Sequence, residues 1–124
     1  MTRNQILIVD DNPETVAAFS ALVSAEGYEP VAATNGARAL QCLATGGSPA
    51  LILLDLRMPV MDGLAFRTAQ LEDVNLAAIP VIVLTADRPT PDERRGLHGI
   101  AALLHKPVDM DTLLSVVHRY TPTP

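Results

Sequence analysis

The sequence predicts an α/β fold in which five parallel strands alternate with five helices. Short apolar runs of strand length alternate along the chain with segments of helical periodicity. The apolar runs are hydrophobic throughout rather than at every second residue, which is typical of strands buried on both faces. Helices between successive strands favour a parallel sheet that is covered on both sides.

The five predicted strands are short apolar runs that end at polar residues. The second run is the weakest, and Pro80 lies near the start of the fourth. The predicted strands span residues 5–9, 29–34, 50–54, 79–84 and 101–105.

The first two predicted helices begin and end at residues with clear conformational preferences. Asn12 is a good N-cap, and Pro13 suits the first helical position. Gly27 is a plausible residue to end this helix, because glycine adopts the left-handed backbone conformation at helix ends. The second helix is expected over residues 36–44 and should stop at the glycines 46–47.

The last three predicted helices differ in strength. Asp62 should cap a third helix that runs to about residue 72. Two prolines and a glycine within residues 89–96 predict a short and weak fourth helix, since these are the poorest helix formers. The fifth should begin near Asp109, and its apolar residues at positions i, i+3, i+4 and i+7 are Met110, Leu113, Leu114 and Val117.

Length and composition predict one domain with an aliphatic core. The chain has 124 residues, of which 48% are hydrophobic but only 3% aromatic, so Leu, Val, Ile and Ala must fill the interior. We expect the domain to span residues 1–120, with a flexible tail at residues 121–124.

Charge and cysteine content exclude several classes of function. The net charge of −5 disfavours nucleic acid as the main partner, because phosphate backbones need clustered Lys and Arg. A single cysteine, Cys42, allows neither an internal disulfide nor a cysteine zinc site. The apolar run near the N-terminus is too short for a signal peptide or a membrane span, so we expect a soluble cytoplasmic protein without membrane contact.

Five polar residues follow the predicted strands. Because ligands of open α/β sheets bind outside the carboxyl ends of the strands, these residues should meet at one edge. Asp10 and Asp11 follow the first strand, Asp55 the third, Thr85 the fourth and Lys106 the fifth. Lys106 is also the only lysine in the chain.

The predicted cluster suits phosphoryl chemistry with a magnesium ion. Three neighbouring carboxylates repel one another, and hard oxygen ligands without histidine favour Mg²⁺ over zinc. A phosphoryl group on Asp55 would meet the metal, the ammonium of Lys106 and the hydroxyl of Thr85.

Four sequence blocks carry a resemblance to a known family. The chain resembles the receiver domain of two-component response regulators over nearly its whole length, because the four blocks occur in the family's order and at similar spacing. The blocks are residues 8–12 (IVDDN), 53–63 (LLDLRMPVMDG), 83–86 (VLTA) and 106–107 (KP).

The resemblance implies a fold, a site and partners. The fold would be flavodoxin-like, (βα)5, with strand order 2-1-3-4-5. Phosphodonors would be a histidine kinase or a histidine phosphotransfer protein, and the protein would be a monomer or a weak homodimer rather than a turnover enzyme. The implied roles are phosphoacceptor for Asp55, Mg²⁺ ligands for Asp10, Asp11, Asp55 and the carbonyl of Arg57, switch hydroxyl for Thr85, and phosphate binding for Lys106 before a cis bond to Pro107.

Two departures from the family pattern concern its signalling face. Leu103 occupies the position, three residues before the lysine, where the family usually carries Tyr or Phe. The fourth helix is unusual in its proline and glycine content. We therefore expect an atypical switch face of low local stability.

Other interpretations of these residues remain open at this point. Asp10 and Asp11 could cap a helix, and residues 92–95 could form a solvated, self-paired face or a docking site. A haloacid-dehalogenase-like phosphatase would need an acid where Arg57 stands. A phosphorylation-independent interaction module on the same fold is the remaining alternative.

Overall fold

The structure, a computed structural model, describes residues 4–45 and 48–122. It shows a five-stranded parallel sheet of order β2-β1-β3-β4-β5, as the sequence and the family resemblance predict. The strands are β1 (Gln5–Val9), β2 (Glu29–Ala33), β3 (Leu51–Asp55), β4 (Val81–Thr85) and β5 (Ala102–His105). The helices are α1 (Pro13–Ala25), α2 (Gly36–Ala44), α3 (Gly63–Glu72), α4 (Pro91–Gly96) and α5 (Met110–Tyr120).

The predicted helix starts are confirmed by side-chain caps. Asn12 Oδ1 accepts hydrogen bonds from the backbone amides of Glu14 and Thr15. Asp62 and Asp109 cap α3 and α5 in the same way. Such caps stabilise a helix by about 1 kcal/mol each, because they satisfy amides that have no partner within the helix.

The ends of several elements differ slightly from the prediction. Gly27 has a φ of 92°, which few residues other than glycine adopt, but the C-cap of α1 is Glu26. Strand β3 includes Asp55, and β4 begins at Val81, after Pro80. The predicted stop of α2 at residues 46–47 lies outside the described residues.

The sheet separates two apolar layers. One layer, with Leu54 and Phe66 at its centre, lies under α2, α3 and α4. The other, with Leu53 and Phe19, lies under α1 and α5. Central strands β3 and β4 are buried along their whole length, because helices cover both faces there. Burial of one such leucine side chain contributes about 1.5–3 kcal/mol.

The start of α4 and the burial of α5 differ from the prediction in detail. Helix α4 has only six residues, as expected, but it starts with a capping box between Thr90 and Glu93. In α5, Leu113 and Val117 are buried, whereas Met110 is exposed and does not join the core.

The described end of the chain contacts the turn between α1 and β2. Thr121 Oγ1 lies 2.6 Å from the hydroxyl of Tyr28 and donates to the carbonyl of Val117. Residues 123–124 of the predicted tail lie outside the described residues. No helix in the described parts of the chain is long and apolar enough to cross a membrane.

Candidate functional site

The carboxyl ends of β1 and β3 bring three aspartates together. One carboxylate oxygen of each of Asp10, Asp11 and Asp55 lies within 4.8 Å of the other two. Asp10 and Asp55 are buried, whereas Asp11 is exposed. The three residues, called the acidic cluster below, therefore form a half-open site at the edge where the sequence predicts one.

Lys106 lies against this cluster. Its Nζ donates to Asp10 Oδ2 at 2.8 Å and lies 3.6 Å from Asp55 Oδ1. Pairing between β4 and β5 places Lys106 here, since its backbone amide donates to the carbonyl of Thr85. The peptide bond between Lys106 and Pro107 is cis, as the resemblance predicts.

Backbone amides fix the two buried carboxylates. The amide of Asn12 donates to Asp10 Oδ1 at 2.9 Å, and the amide of Arg57 lies 3.5 Å from Asp55 Oδ1. Burial raises the pKa of the Asp55 carboxyl above its ordinary value, and the negative charge of Asp10 raises it further; Lys106 acts in the opposite direction. With three carboxylates in the cluster, the single ammonium of Lys106 does not neutralise it.

Glycine at position 63 brings α3 close to the strand that carries Asp55. A Cβ at Gly63 would lie 2.5 Å from the carbonyl oxygen of Asp55 and 2.9 Å from the Cα of Leu56. The amide of Gly63 donates to the carbonyl of Leu56. The glycine in the sequence block 53–63 thus sets the path of the loop between β3 and α3.

The hydroxyl of Thr85 is buried and engaged in its own loop. It donates to the carbonyl of Asp87 at 2.9 Å and accepts a hydrogen bond from the amide of the same residue. Thr85 is therefore at the predicted edge of the sheet, but its hydroxyl has a backbone partner in this conformation.

Arg57 makes a contact that the sequence did not predict. Its guanidinium pairs with Glu93 of α4 and lies 3.7 Å from Asp87 Oδ2. Residues 92–95 were interpreted as a solvated, self-paired face, and Asp92 does pair with Arg95 at the surface. Glu93 is an exception because it is buried, and its spacing from Thr90 was the available signal for a capping role.

An apolar cleft lies beside the acidic cluster. It has a volume of about 490 Å³ and lies between α1 and the segment that follows β5. Phe19, Lys106, Pro107 and Val108 contribute to its walls. The ammonium of Lys106 therefore lies at the border between a charged site and an apolar surface.

The family model described as "Response regulator receiver domain" matches residues 6–118. This chain belongs to the receiver domain family of response regulators. It is 34% identical over 116 residues to the polar-differentiation response regulator DivK of Brucella anthropi, a match that covers 93% of this chain and 94% of the relative.

Solved receiver structures share the fold. A response regulator receiver protein from Pseudomonas putida has a TM-score of 0.86 at 28% identity, with 96% of this chain and 98% of that chain covered. The signal receiver domain of a histidine kinase from Syntrophus aciditrophicus has a TM-score of 0.84 at 32% identity, with 94% and 89% covered. The family resemblance and the strand order that it implies are thus confirmed.

Proposed function

We propose that this receiver domain accepts a phosphoryl group on Asp55 in a two-component phosphorelay. The observation that supports this most strongly is the position of Lys106, whose Nζ contacts both Asp10 and Asp55 across the end of the sheet. A buried carboxylate beside a lysine and two further acids has the groups that phosphoryl transfer requires.

The acidic cluster suits a magnesium ion. Its three carboxylates supply only oxygen donors, and no described histidine or cysteine joins the group. The cluster has three carboxylates and only the ammonium of Lys106 against them, so negative charge remains for a cation to offset. Asp10, Asp11 and Asp55, with the carbonyl of Arg57, would hold the ion. When bound, Mg²⁺ neutralises charge on the transferring phosphoryl oxygens.

Asp55 acts as the nucleophile in this proposal. One of its carboxylate oxygens forms a bond to the phosphorus of a phosphohistidine, and the bond from phosphorus to the imidazole nitrogen breaks. The electron pair of that bond stays on the imidazole, and Asp55 becomes an acyl phosphate. Lys106 stays close enough to Asp55 to pair with a phosphoryl oxygen, which stabilises the developing charge.

Arg57 connects the site to α4, and Thr85 connects it to the loop before α4. For Thr85 to donate to a phosphoryl oxygen, its hydroxyl must leave the carbonyl of Asp87. Leu103, at the family's usual aromatic position, is partly buried against the layer under α4 and has no hydroxyl. We infer that the pair between Arg57 and Glu93 performs part of the coupling that an aromatic residue supplies elsewhere in the family.

The apolar cleft beside Lys106 is the proposed contact surface for the phosphodonor. A histidine kinase or a histidine phosphotransfer protein must bring its histidine to Asp55, and the cleft is an apolar surface next to that residue's lysine partner. The proposal does not require a homodimer. The oligomeric state, a monomer or a weak homodimer, stays a prediction.

Labelling with acetyl phosphate tests the proposal. With Mg²⁺ present, intact mass should increase by one phosphoryl group, and a chelator should prevent this. The variant Asp55→Asn should lose labelling. Asp62→Asn is the matched control: the change is the same and lies nearby, and asparagine still caps α3.

Three other results would contradict the proposal. Labelling that persists in Asp55→Asn would place the phosphoryl group elsewhere. No labelling by acetyl phosphate or by any histidine kinase would favour a phosphorylation-independent interaction module. Steady turnover of phosphomonoesters would favour a phosphatase, although Arg57 is a poor replacement for the acid that such an enzyme needs.

A further inference from the structure

A second cavity lies at the edge of the sheet opposite to the acidic cluster. It has a volume of about 360 Å³, within the range of small-ligand sites. Pro80 and Ala101, which directly precede β4 and β5, contribute to its walls, and Tyr120 at the end of α5 lies at its border. The cavity is thus separated from Asp55 by the length of the strands.

Arg67 of α3 lines this cavity and is almost fully buried. The residue is only 4% exposed. Its Nη1 donates to Gln70 Oε1 at 2.8 Å, whereas its Nε is closed off from solvent and has no hydrogen-bond partner among the described residues. Among residues 4–45 and 48–122, Arg67 forms no ion pair, and burial lowers the pKa of its guanidinium. A buried charge without a counter-ion is costly and requires an explanation.

The contacts of Gln70 fix the orientation of the guanidinium. Gln70 is fully buried, and its Nε2 donates to the carbonyls of Leu76 and Ile79. Because this fixes the amide, Gln70 Oε1 presents a fixed acceptor to Nη1 of Arg67. The other terminal nitrogen of the guanidinium, Nη2, is left for another partner.

Gly99 leaves space beside Nη2 of Arg67. Gly99 has a φ of 82°, and a Cβ built on it would lie 3.4 Å from Nη2 of Arg67. A side chain at position 99 would therefore extend the wall toward the guanidinium. The Nη2 donor of arginine carries positive charge, and a carboxylate oxygen is a strong hydrogen-bond partner for it.

We propose that this cavity binds a carboxylate on a small apolar body, with one of its oxygens on Nη2 of Arg67. The lining supports a singly charged ligand, because Arg67 is the only charged residue among the described residues that form it. Ile79, Pro80 and Ile100 supply apolar walls for the rest of the ligand. The proposal is independent of phosphorylation.

Nuclear magnetic resonance titrations test it on the wild-type protein. The probes are acetate, butyrate and benzoate, with benzamide as the uncharged match of benzoate and inorganic phosphate as a dianion. Benzoate should give saturable shifts at the cavity and bind at least about tenfold more tightly than benzamide, since a hydrogen-bonded charge is lost in the amide. Tighter binding of phosphate, or no saturable binding of any carboxylate, would overturn the proposal.

Two matched variants assign the binding to Arg67. Arg67→Gln should weaken benzoate binding about tenfold or more, whereas Arg119→Gln, the same change on the exposed surface of α5, should not. Ala78→Phe narrows the cavity from its exposed border without altering Arg67, and it decides the question if Arg67→Gln does not fold. Unchanged binding in the cavity variants would contradict the proposal.

A peptide arm separates two sources of the carboxylate. Acetyl-Gly-Phe with a free carboxylate is compared with its amide. Tighter binding of the peptide acid than of benzoate would assign a protein chain terminus as ligand, and the reverse would assign a free organic acid. Both results support the carboxylate site, whereas equal binding of the peptide acid and the amide argues against it.

Discussion

The guanidinium of Arg57 pairs with the buried carboxylate of Glu93 and thereby joins the loop after Asp55 to α4. The second oxygen of Glu93 accepts a hydrogen bond from the amide of Thr90 at 2.8 Å. One carboxylate thus caps α4 and holds the loop that leaves β3. A change in that loop can therefore be transmitted to the first turn of α4.

Removal of the charge at Glu93 should loosen α4. Glu93→Gln should lower the free energy of unfolding by about 1–3 kcal/mol, because Arg57 loses a partner and the capping box weakens. Hydrogen exchange of the amides in residues 91–96 should become faster. Asp92→Asn is the control: its pair with Arg95 is exposed, so the cost should stay below about 1 kcal/mol. Equal effects of the two changes would contradict a special role for Glu93.

The same carboxylate predicts an acid limit of stability. The amide of Thr90, and then Arg57, hold the pKa of Glu93 below its ordinary value of 4.5. Because the pKa is lower in the folded state, ionised Glu93 stabilises the fold fully at pH values above its ordinary pKa. This stabilisation is lost as the pH falls through the folded-state pKa. Urea unfolding should therefore show a steeper loss below about pH 4.5 in the wild type than in Glu93→Gln. Parallel pH profiles would refute the prediction.

The contribution of Asp55 to stability should depend on pH in the opposite direction to that of Glu93. Because burial and Asp10 raise its pKa above 3.8, its contribution to stability is greatest below that value and is lost as the pH rises through the folded-state pKa. Without Mg²⁺, Asp55→Asn should be more stable than the wild type at neutral pH, by about 1 kcal/mol. This difference in the free energy of unfolding should disappear at acid pH. A difference that stays constant with pH would contradict the prediction.

Magnesium should stabilise the folded protein. If the acidic cluster binds Mg²⁺, a concentration one hundredfold above Kd adds about 2.7 kcal/mol to the free energy of unfolding. Thermal unfolding with Mg²⁺ and then with chelator measures this. Asp11→Asn should reduce the shift, because Asp11 is the exposed carboxylate of the cluster. The control Asp111→Asn, on the exposed start of α5, should retain the full shift.

A methyl group at Gly63 should disturb the site. In Gly63→Ala the new Cβ meets the backbone of Asp55 and Leu56, so we expect a loss of about 1–3 kcal/mol and slower labelling. Gly96→Ala is the contrast: its Cβ meets the end of the Leu64 side chain, which can rotate. Denaturant unfolding should give a clearly smaller loss for Gly96→Ala, and equal losses would contradict the interpretation.

The sequence predicted those features that local pattern determines. Apolar runs ending in Asp10, Asp55 or Lys106 indicate where the strands stop, and the parallel order then places these residues at one edge. The pairing of Arg57 with Glu93 was not predictable, because the residues are 36 positions apart and neighbouring arginines offered nearer partners. The burial of Arg67 was equally hidden, since arginine at a helix surface usually reaches solvent.

Because the sheet divides the core into two layers, the effect of a substitution should stay within one layer. Leu53 and Leu54 are neighbours in sequence, yet their side chains enter different layers. Substitutions deep in one layer should therefore combine additively with those in the other. Evolution can thus vary the α4 side of this molecule while the α1 side keeps its shape, and the two surfaces are free to diverge at different rates.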